Sequence, residues 1–281
     1  MSSINYEAQY NNGRRVPEAD EISARWRAAS SRYRAEANAE LDQPYGPGPR
    51  HRYDLFRADR ADAPLVLYIH GGYWQMGDRT LYSFLARALN AIGLNVVIPS
   101  YTLAPAVSVL EIVEELRSCV VAVWSRIRVR PLVVGHSAGG HLTAAMLATD
   151  WSAVDEVPSD LVRAGIPISG IFDLGPLINT SFNAAARLDP ATARAASPRF
   201  WQIPAGDRRL VAAVGGEESA EFRRQSREMA GQWRAAGRPS EYLEVEGANH
   251  FTVVEELSSP GTALFERVVA LAREVHAPEW R

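Results

Sequence analysis

A glycine-rich turn contains the first residue whose type and setting could do chemistry. The segment Gly135-His136-Ser137-Ala138-Gly139 follows a short apolar run, 132–135, and precedes an apolar helical pattern, 142–147. A serine at the tip of a sharp strand-to-helix turn exposes its hydroxyl as a nucleophile, and the next amide can stabilise an oxyanion. The pattern therefore predicts acyl transfer through Ser137, with the Ala138 N–H as one oxyanion donor. The alternative is a turn with an incidental serine, since short matches of this kind arise by chance.

A serine hydroxyl is a weak nucleophile unless a base accepts its proton. The chain has 6 histidines, and His250 directly follows the last predicted strand, 241–245. That loop, and the chain order serine, acid, histidine, are typical of hydrolases with a strand-turn-helix nucleophile. We therefore predict that His250 is the base. The other five histidines are not expected to act as the base. His51 and His276 lie outside any loop at a strand end, and His70 belongs to a turn that it is expected to brace. His141 is expected to pack on a helix, and His136, inside the serine turn, is expected to point away from the site.

The acid that orients this histidine should follow a strand end between Ser137 and His250. The segment Gly215-Gly216-Glu217-Glu218-Ser219 follows the predicted strand 210–214 and opens a helix. Glu217 and Glu218 are both placed for the role, and Asp173, which follows the preceding strand, is a third candidate that ranks behind them. Periodicity does not choose among the three. A carboxylate pair at a helix start also has a purely structural interpretation, as favourable charge near the helix dipole.

A second pair of glycines is the candidate source of the other oxyanion donor. The predicted strand 65–70 ends in His70-Gly71-Gly72-Tyr73-Trp74. Glycines after a strand let the backbone approach a ligand closely, and an H-G-G run in this loop is a known form of the second donor. We predict that the N–H of Gly71 or Gly72 complements that of Ala138. The alternative is a tight turn that requires glycine.

Strand and helix patterns alternate along most of the chain. Predicted strands cover 51–57, 65–70, 94–99, 132–135, 164–169, 210–214 and 241–245, with 51–57 as an edge strand. Predicted helices cover 17–38, 81–92, 107–127, 138–149, 219–236 and 262–275. This alternation predicts an α/β fold with a mostly parallel sheet covered by helices on both faces. Ligands bind such sheets at the carboxyl ends of the strands, where the candidate residues would meet.

We predict one domain over residues 1–281, with two additions to the sheet. Residues 1–44 are predicted to form an N-terminal helical cover, irregular to about residue 16 and then helical, with Trp26 and Tyr33 docking one face. The alternative is a solvated helix with one apolar stripe. Residues 43–49 are rich in proline and glycine and are predicted to be a link. The insertion from about 170 to 207 is the best candidate for a small cap over the site.

Composition excludes several classes of function. The 30 basic residues are all arginine, so neither a Schiff-base lysine nor a P-loop lysine is available. The net charge of −3 and the lack of a basic stripe argue against nucleic acid as a partner. The chain has 1 cysteine, no apolar signal core and no apolar run of membrane length, which favours a cytoplasmic protein with no membrane association. No metal or cofactor motif occurs, so we expect no cofactor and no metal. A homo-oligomer stays possible.

Several motifs between residues 45 and 257 together resemble a known family. They are Tyr45-Gly46, His70-Gly71-Gly72-Tyr73-Trp74-Gln75, Gly135-His136-Ser137-Ala138-Gly139-Gly140, Ser169-Gly170-Ile171-Phe172-Asp173-Leu174 with Ser197-Pro198, Ser219-Ala220-Glu221-Phe222-Arg223-Arg224-Gln225-Ser226, and His250-Phe251 with Glu255-Glu256-Leu257. The set is similar to the arylformamidase (kynurenine formamidase) branch of the α/β-hydrolases. The H-G-G-Y-W-Q and S-x-E-F-x-x-Q-S runs are its most specific parts.

The resemblance implies a mechanism and a substrate class. The acid of that family stands immediately before the serine of the S-x-E-F motif and is usually aspartate, which places it at Glu218 here, with Glu217 second. The implied triad is Ser137, His250 and Glu218, without a metal, acting on a small-molecule N-formyl aryl amine, first of all N-formylkynurenine. An esterase for small acyl groups is the alternative, and a non-catalytic binding protein of the same fold is another.

Aromatic residues give the predicted substrate pocket its walls. Tyr73 and Trp74 follow the glycine pair and are expected to crowd the acyl side, which favours a group as small as formyl. Phe172, Phe182 and Trp201, in the insertion, are expected to line an aromatic pocket. Aromatic side chains also pack in cores, which is the alternative for each of them.

Overall fold

A twisted sheet of eight strands forms the centre of the computed structural model, which describes residues 4–60 and 62–277. The strands are β1 Ala39–Pro44, β2 Arg52–Phe56, β3 Leu65–Ile69, β4 Asn95–Pro99, β5 Pro131–His136, β6 Ala164–Ile168, β7 Arg209–Gly215 and β8 Ser240–Val245. Their order in the sheet is β1-β2-β4-β3-β5-β6-β7-β8. The strands β4, β3, β5, β6, β7 and β8 pair in parallel, whereas β1 and β2 are antiparallel to their neighbours. The predicted α/β-hydrolase fold is confirmed by this topology.

The helices cover both faces of the sheet. They are α1 Tyr6–Tyr10, α2 Asn12–Arg15, α3 Ala19–Glu36, α4 Phe84–Ala91, α5 Val109–Ile127, α6 Ala138–Leu147, α7 Asn183–Ala186, α8 Pro190–Ala195, α9 Ala220–Ala235, α10 Thr252–Glu255 and α11 Ala263–His276. Apolar side chains of α5, α6 and α9 form one core with one face of the sheet, and those of α3, α4 and α11 form a second core with the other. The central strands are buried on both faces, which is why they appear in the sequence as continuous apolar runs.

The N-terminal quarter differs from the sequence-based expectation. Residues 4–16 were expected to be irregular but form α1 and α2, each begun by an asparagine side chain, Asn5 or Asn11, that accepts a backbone N–H; residues 1–3 lie outside the described residues. The expected link at 43–49 begins inside β1, which is the true edge strand, so β2 is interior. Strand β1 is polar and its register shifts between Glu40 and Gln43, so it lacks the apolar alternation that would reveal it.

The N-terminal helices are fastened across the carboxyl end of the sheet. The Tyr10 hydroxyl donates to Glu221 on α9 at 3.0 Å, and the Trp26 indole N–H donates to Glu255 at 2.9 Å. Arg34 of α3 pairs with the fully buried carboxylate of Asp54. Polar contacts with α9, α10 and β2 therefore hold this segment against the body of the protein. No helix within the described ranges is long and apolar enough to cross a membrane.

Candidate active site

The turn between β5 and α6 presents Ser137 in a conformation that few residues adopt. Its φ and ψ are 57° and −118°, and its N–H donates to the Ile168 carbonyl at 2.8 Å. A Cβ at Gly135 would lie 2.4 Å from the Gly139 oxygen, and one at Gly139 would lie 2.0 Å from the Ile69 oxygen. Only glycine therefore fits on either side, and the close packing fixes Ser137 at the tip of the turn.

A buried imidazole and carboxylate pair lies beside this turn. The loop after β8 carries His250, and Asn249 shapes that loop by accepting the N–H groups of Phe251 and Thr252 at 2.9 and 3.0 Å. His250 Nδ1 lies 2.6 Å from Glu218 Oε2, and both side chains are almost completely buried. This contact leaves Nε2 as the ring nitrogen free of the carboxylate. The pair has the arrangement in which a carboxylate fixes the tautomer and orientation of a histidine.

The other carboxylate oxygen of Glu218 is held by two donors. The Gly215 N–H donates to Oε1 at 2.8 Å, and the Ser169 hydroxyl donates to the same oxygen. Glu217, by contrast, is exposed. Asp173 is engaged in its own turn, where its carboxylate accepts a hydrogen bond from the Gly175 N–H at 2.9 Å. The structure thus brings Glu218 to His250, and it places neither of the other two candidate acids there.

The glycine pair after β3 lies against the serine turn. A Cβ at Gly71 would be 3.0 Å from Ser137 Cβ and 2.8 Å from the His136 oxygen, so the backbone passes directly beside the serine. The buried His70 ring braces this loop, since its Nδ1 lies 2.8 Å from the Gly71 oxygen. The N–H of Ala138 opens α6 on the other side of Ser137. These positions fit the expected pair of oxyanion donors.

Three other histidines are buried in uncharged form. Burial lowers the pKa of His70 and of His141 to about 4, so neither ring is protonated near neutral pH. Burial also lowers the pKa of His136 well below its usual range, and the neighbouring His250 acts in the same direction. The expectation that His136 points away from the site is wrong, because its ring centroid lies 4.5 Å from that of His250 and it contributes to the same cavity wall. Residue spacing does not show where a side chain points in so strained a turn.

A cavity of about 700 Å³ opens onto Ser137 and His250. Its inner walls include Gly71, Gly72 and the rings of Tyr73 and Phe182, which stack with centroids 3.7 Å apart. Tyr73 and Phe182, both expected in the substrate pocket, therefore line this cavity. Further aromatic walls, which the sequence analysis did not assign to the pocket, come from Trp26, Tyr82 and Phe251.

Three expected pocket residues lie elsewhere, which corrects the sequence analysis. Trp74 is fully buried and its indole N–H donates to His141 Nδ1 at 3.2 Å. Phe172 is a core residue, 1% exposed, whose ring packs against Gly170. Trp201 lines a separate groove beside Arg208, near the amino end of β7. Each sits next to a motif in sequence, but strand and turn geometry directs its ring away from the cavity.

The outer wall of the cavity comes mainly from the N-terminal helices. Residues from Asn11 to Arg27 contribute to it, including one face of α3. From the 170–207 insertion, Phe182 is the residue that contributes among those described. The predicted cap therefore has a small part in the cavity, and the N-terminal cover has a large one.

Comparisons with known proteins agree with this geometry. A family model of the α/β-hydrolase fold matches residues 66–254. The kynurenine formamidase of Danio rerio is 32% identical over 272 residues, covering 92% of each chain. A crystal structure of a candidate thioesterase from Silicibacter has a TM-score of 0.87 and 32% identity, and the match covers 95% of this chain and 100% of that one. An esterase from Pyrobaculum calidifontis shares the fold, with a TM-score of 0.68, 20% identity and coverage of 92% and 91%. The chain thus belongs to the α/β-hydrolase family and, within it, to the branch that contains the kynurenine formamidases.

Proposed function

We propose that the protein is a serine hydrolase that removes a small acyl group from an aryl amide, with N-formylkynurenine as its first candidate substrate. The observation that carries the proposal is the buried Glu218–His250 pair, whose histidine lines a cavity together with Ser137 and the glycine backbone beside it. The kynurenine formamidase of Danio rerio, similar over nearly the whole chain, supports the choice of substrate.

The proposed reaction has two halves. Ser137 Oγ attacks the formyl carbon while His250 Nε2 takes the hydroxyl proton and Glu218 stabilises the resulting imidazolium. The N–H groups of Ala138 and of Gly71 or Gly72 bind the oxyanion, and one such donor typically lowers the barrier by about 3 kcal/mol. The C–N bond then breaks and the aryl amine leaves with the proton from His250. Water, deprotonated by the same imidazole, then attacks the formyl-serine. The bond between the formyl carbon and Ser137 Oγ breaks, Oγ takes the proton back from His250, and formic acid leaves and ionises to formate.

The cavity fits a flat substrate with a small acyl group. A Cβ at Gly71 would lie 2.8 Å from the His136 oxygen and 3.0 Å from Ser137 Cβ, so the space directly beside the serine is narrow and suits a small acyl group. Tyr73 and Phe182, which stack and line the same cavity, offer apolar surface to the aryl group of such a substrate. An aryl amine is also a better leaving group than an alkyl amine, because its nitrogen lone pair is delocalised into the ring.

A substrate comparison tests this proposal. We expect kcat/KM for N-formylkynurenine to exceed that for short p-nitrophenyl esters and short acyl thioesters in the wild-type protein, with Ser137→Ala as the blank. A much higher value for an ester or thioester would favour the second candidate, an esterase for small acyl groups. That candidate has its own support in the likeness to the candidate thioesterase, at 32% identity over 95% of the chain.

Ser169 should matter for turnover because its hydroxyl helps to hold Glu218. We expect Ser169→Ala to lower kcat about tenfold, in keeping with the loss of one charge-assisted hydrogen bond, and to leave KM nearly unchanged. Ser226→Ala is the matched control, since the buried Ser226 hydroxyl has no hydrogen-bond partner in the part of the chain that the structure describes. Steady-state kinetics and thermal unfolding of both variants check the prediction. A loss of stability in Ser169→Ala with unchanged kcat would contradict it.

A further inference from the structure

One face of α3 brings polar side chains to the mouth of the cavity. Asp20, Ser23 and Arg27 recur at helical spacing and line its outer wall. Asp20 and Arg27 are exposed, and neither side chain has an ion pair or hydrogen bond to any residue in 4–60 or 62–277. Asp78, another acid of the wall, is already engaged, because it accepts the Ser100 hydroxyl at 2.8 Å.

Two other arginines of α3 form ion pairs that have a structural role. Arg25 pairs with Glu255 at 3.2 Å, and Arg34 pairs with the buried Asp54. Both contacts fasten the helix to the body of the protein. Arg27 lies between them in sequence and makes no such contact among the described residues, although its side chain borders the cavity. A cation in that position is available to a ligand.

The two free charges have opposite sign and lie on the same side of the helix. They are seven residues apart, which is about 10 Å along the axis. Long helical side chains lean toward the N-terminus of their helix, so the guanidinium of Arg27 leans toward Ser23 and Asp20. A group that carries both a carboxylate and an ammonium would meet a partner for each. The aromatic side chains of the same cavity include the buried Trp26, Tyr73 and Tyr82, whereas Asp20 and Arg27 are exposed. A ligand that uses both sets of residues would therefore have an aryl body and a charged outer end.

We propose that Arg27 and Asp20 form a subsite for the zwitterionic α-amino-acid tail of an aryl substrate, with Arg27 binding the carboxylate and Asp20 the ammonium. The inference rests on the proposed function, because it takes the aryl amide at Ser137 as the reacting end. It makes Arg27 a specificity-determining residue, whose guanidinium offers a carboxylate two parallel N–H donors. The same subsite should retain the product amine, kynurenine, which keeps the tail after the formyl group has left.

The kinetic test compares substrates with and without the tail. We expect Arg27→Met to raise KM for N-formylkynurenine about tenfold, the change expected for one charge-assisted contact at a solvated mouth. Its kcat, and kcat/KM for formanilide, which lacks the tail, should stay within about twofold. Arg27→Lys should recover part of the loss, and Asp20→Asn should show a smaller rise in KM. Arg32→Met is the matched control, since Arg32 is an exposed arginine of the same helix outside this cavity.

Calorimetric binding of kynurenine and of 2′-aminoacetophenone, the same ring without the tail, tests the subsite without any turnover. We expect kynurenine to bind Arg27→Met about tenfold more weakly than wild type, and 2′-aminoacetophenone to bind both alike. Equal kynurenine binding in wild type and Arg27→Met would overturn the subsite, even if the wild type cleaves N-formylkynurenine. Weakened binding with no cleavage of either formamide would support the subsite and refute the proposed reaction.

Discussion

Ser137→Ala should abolish hydrolysis, with kcat lower by roughly 10⁶-fold, the scale on which loss of an activated serine nucleophile acts. Alanine keeps the Cβ of serine and adds no atom, so the packing of Gly71 and Gly139 around the turn is retained. The φ of 57° at this position is no harder for alanine than for serine. The fold should therefore survive, and the loss should appear in the chemical step and not in substrate binding.

Covalent labelling tests the role of Ser137 without depending on the identity of the substrate. A fluorophosphonate should modify wild type at Ser137 in the ratio of one label per chain and should leave Ser137→Ala unlabelled. Ser118→Ala, which alters an exposed hydroxyl on α5 that donates to the Glu114 carbonyl at 3.1 Å, is the control and should label like wild type. Hydrolysis by Ser137→Ala at a near wild-type rate would refute a serine nucleophile. A wild-type protein that is not labelled would favour the alternative of a non-catalytic binding protein.

The sequence reveals the central strands of the parallel sheet because burial on both faces leaves mostly apolar residues there. The run at 65–70 is one example, since Leu67 packs into one core and Val66 into the other. Strand β1 is different: it lies at the edge, carries Glu40 and Gln43, and shifts register between them. Its position depends on pairing with β2, a long-range interaction that local pattern does not record.

In the candidate site, too, the sequence predicts some features and not others. Ser137, His250 and the glycine pair follow strand ends, and parallel strands bring their carboxyl ends together, so position along the chain is enough to predict their meeting. Side-chain direction is not determined by such spacing. Trp74 turns into the core beside His141 while Tyr73, its neighbour, lines the cavity, and no periodicity distinguishes the two in a turn where both have positive φ.

The role of the N-terminal helices also depends on contacts distant in sequence. Trp26 docks on Glu255 through a hydrogen bond between residues 229 positions apart, and the Tyr73 hydroxyl donates to the Tyr10 carbonyl. Sequence patterning predicts a helix with an apolar stripe but does not predict which part of the body it will cover. The first bond fixes α3 and the second fixes α1 beside the cavity, so that the cavity wall carries the charges of an element that precedes the first strand.

Glu218→Gln should lower kcat by roughly 10⁴-fold, the scale seen when the acid of such a triad becomes an amide. The substitution preserves size, so Oε1 can still accept the Gly215 N–H and the Ser169 hydroxyl. The atom facing His250 then becomes an NH₂ group, which donates to Nδ1. That bond selects the tautomer with its proton on Nε2, the wrong nitrogen for accepting the serine proton, and it removes the charge that stabilises the imidazolium.

Glu217→Gln is the matched control for this prediction, because it makes the same chemical change one residue earlier. Its side chain is exposed, whereas that of Glu218 is buried against His250, so kcat should stay within about twofold of wild type. Steady-state kinetics on N-formylkynurenine, or on a short p-nitrophenyl ester, distinguishes the two variants directly. The reverse order, with Glu217→Gln inactive and Glu218→Gln active, would contradict the assignment. Glu218→Asp keeps the negative charge but shortens the side chain by one methylene, which moves the carboxylate away from His250. Its kcat should therefore lie between that of wild type and that of Glu218→Gln.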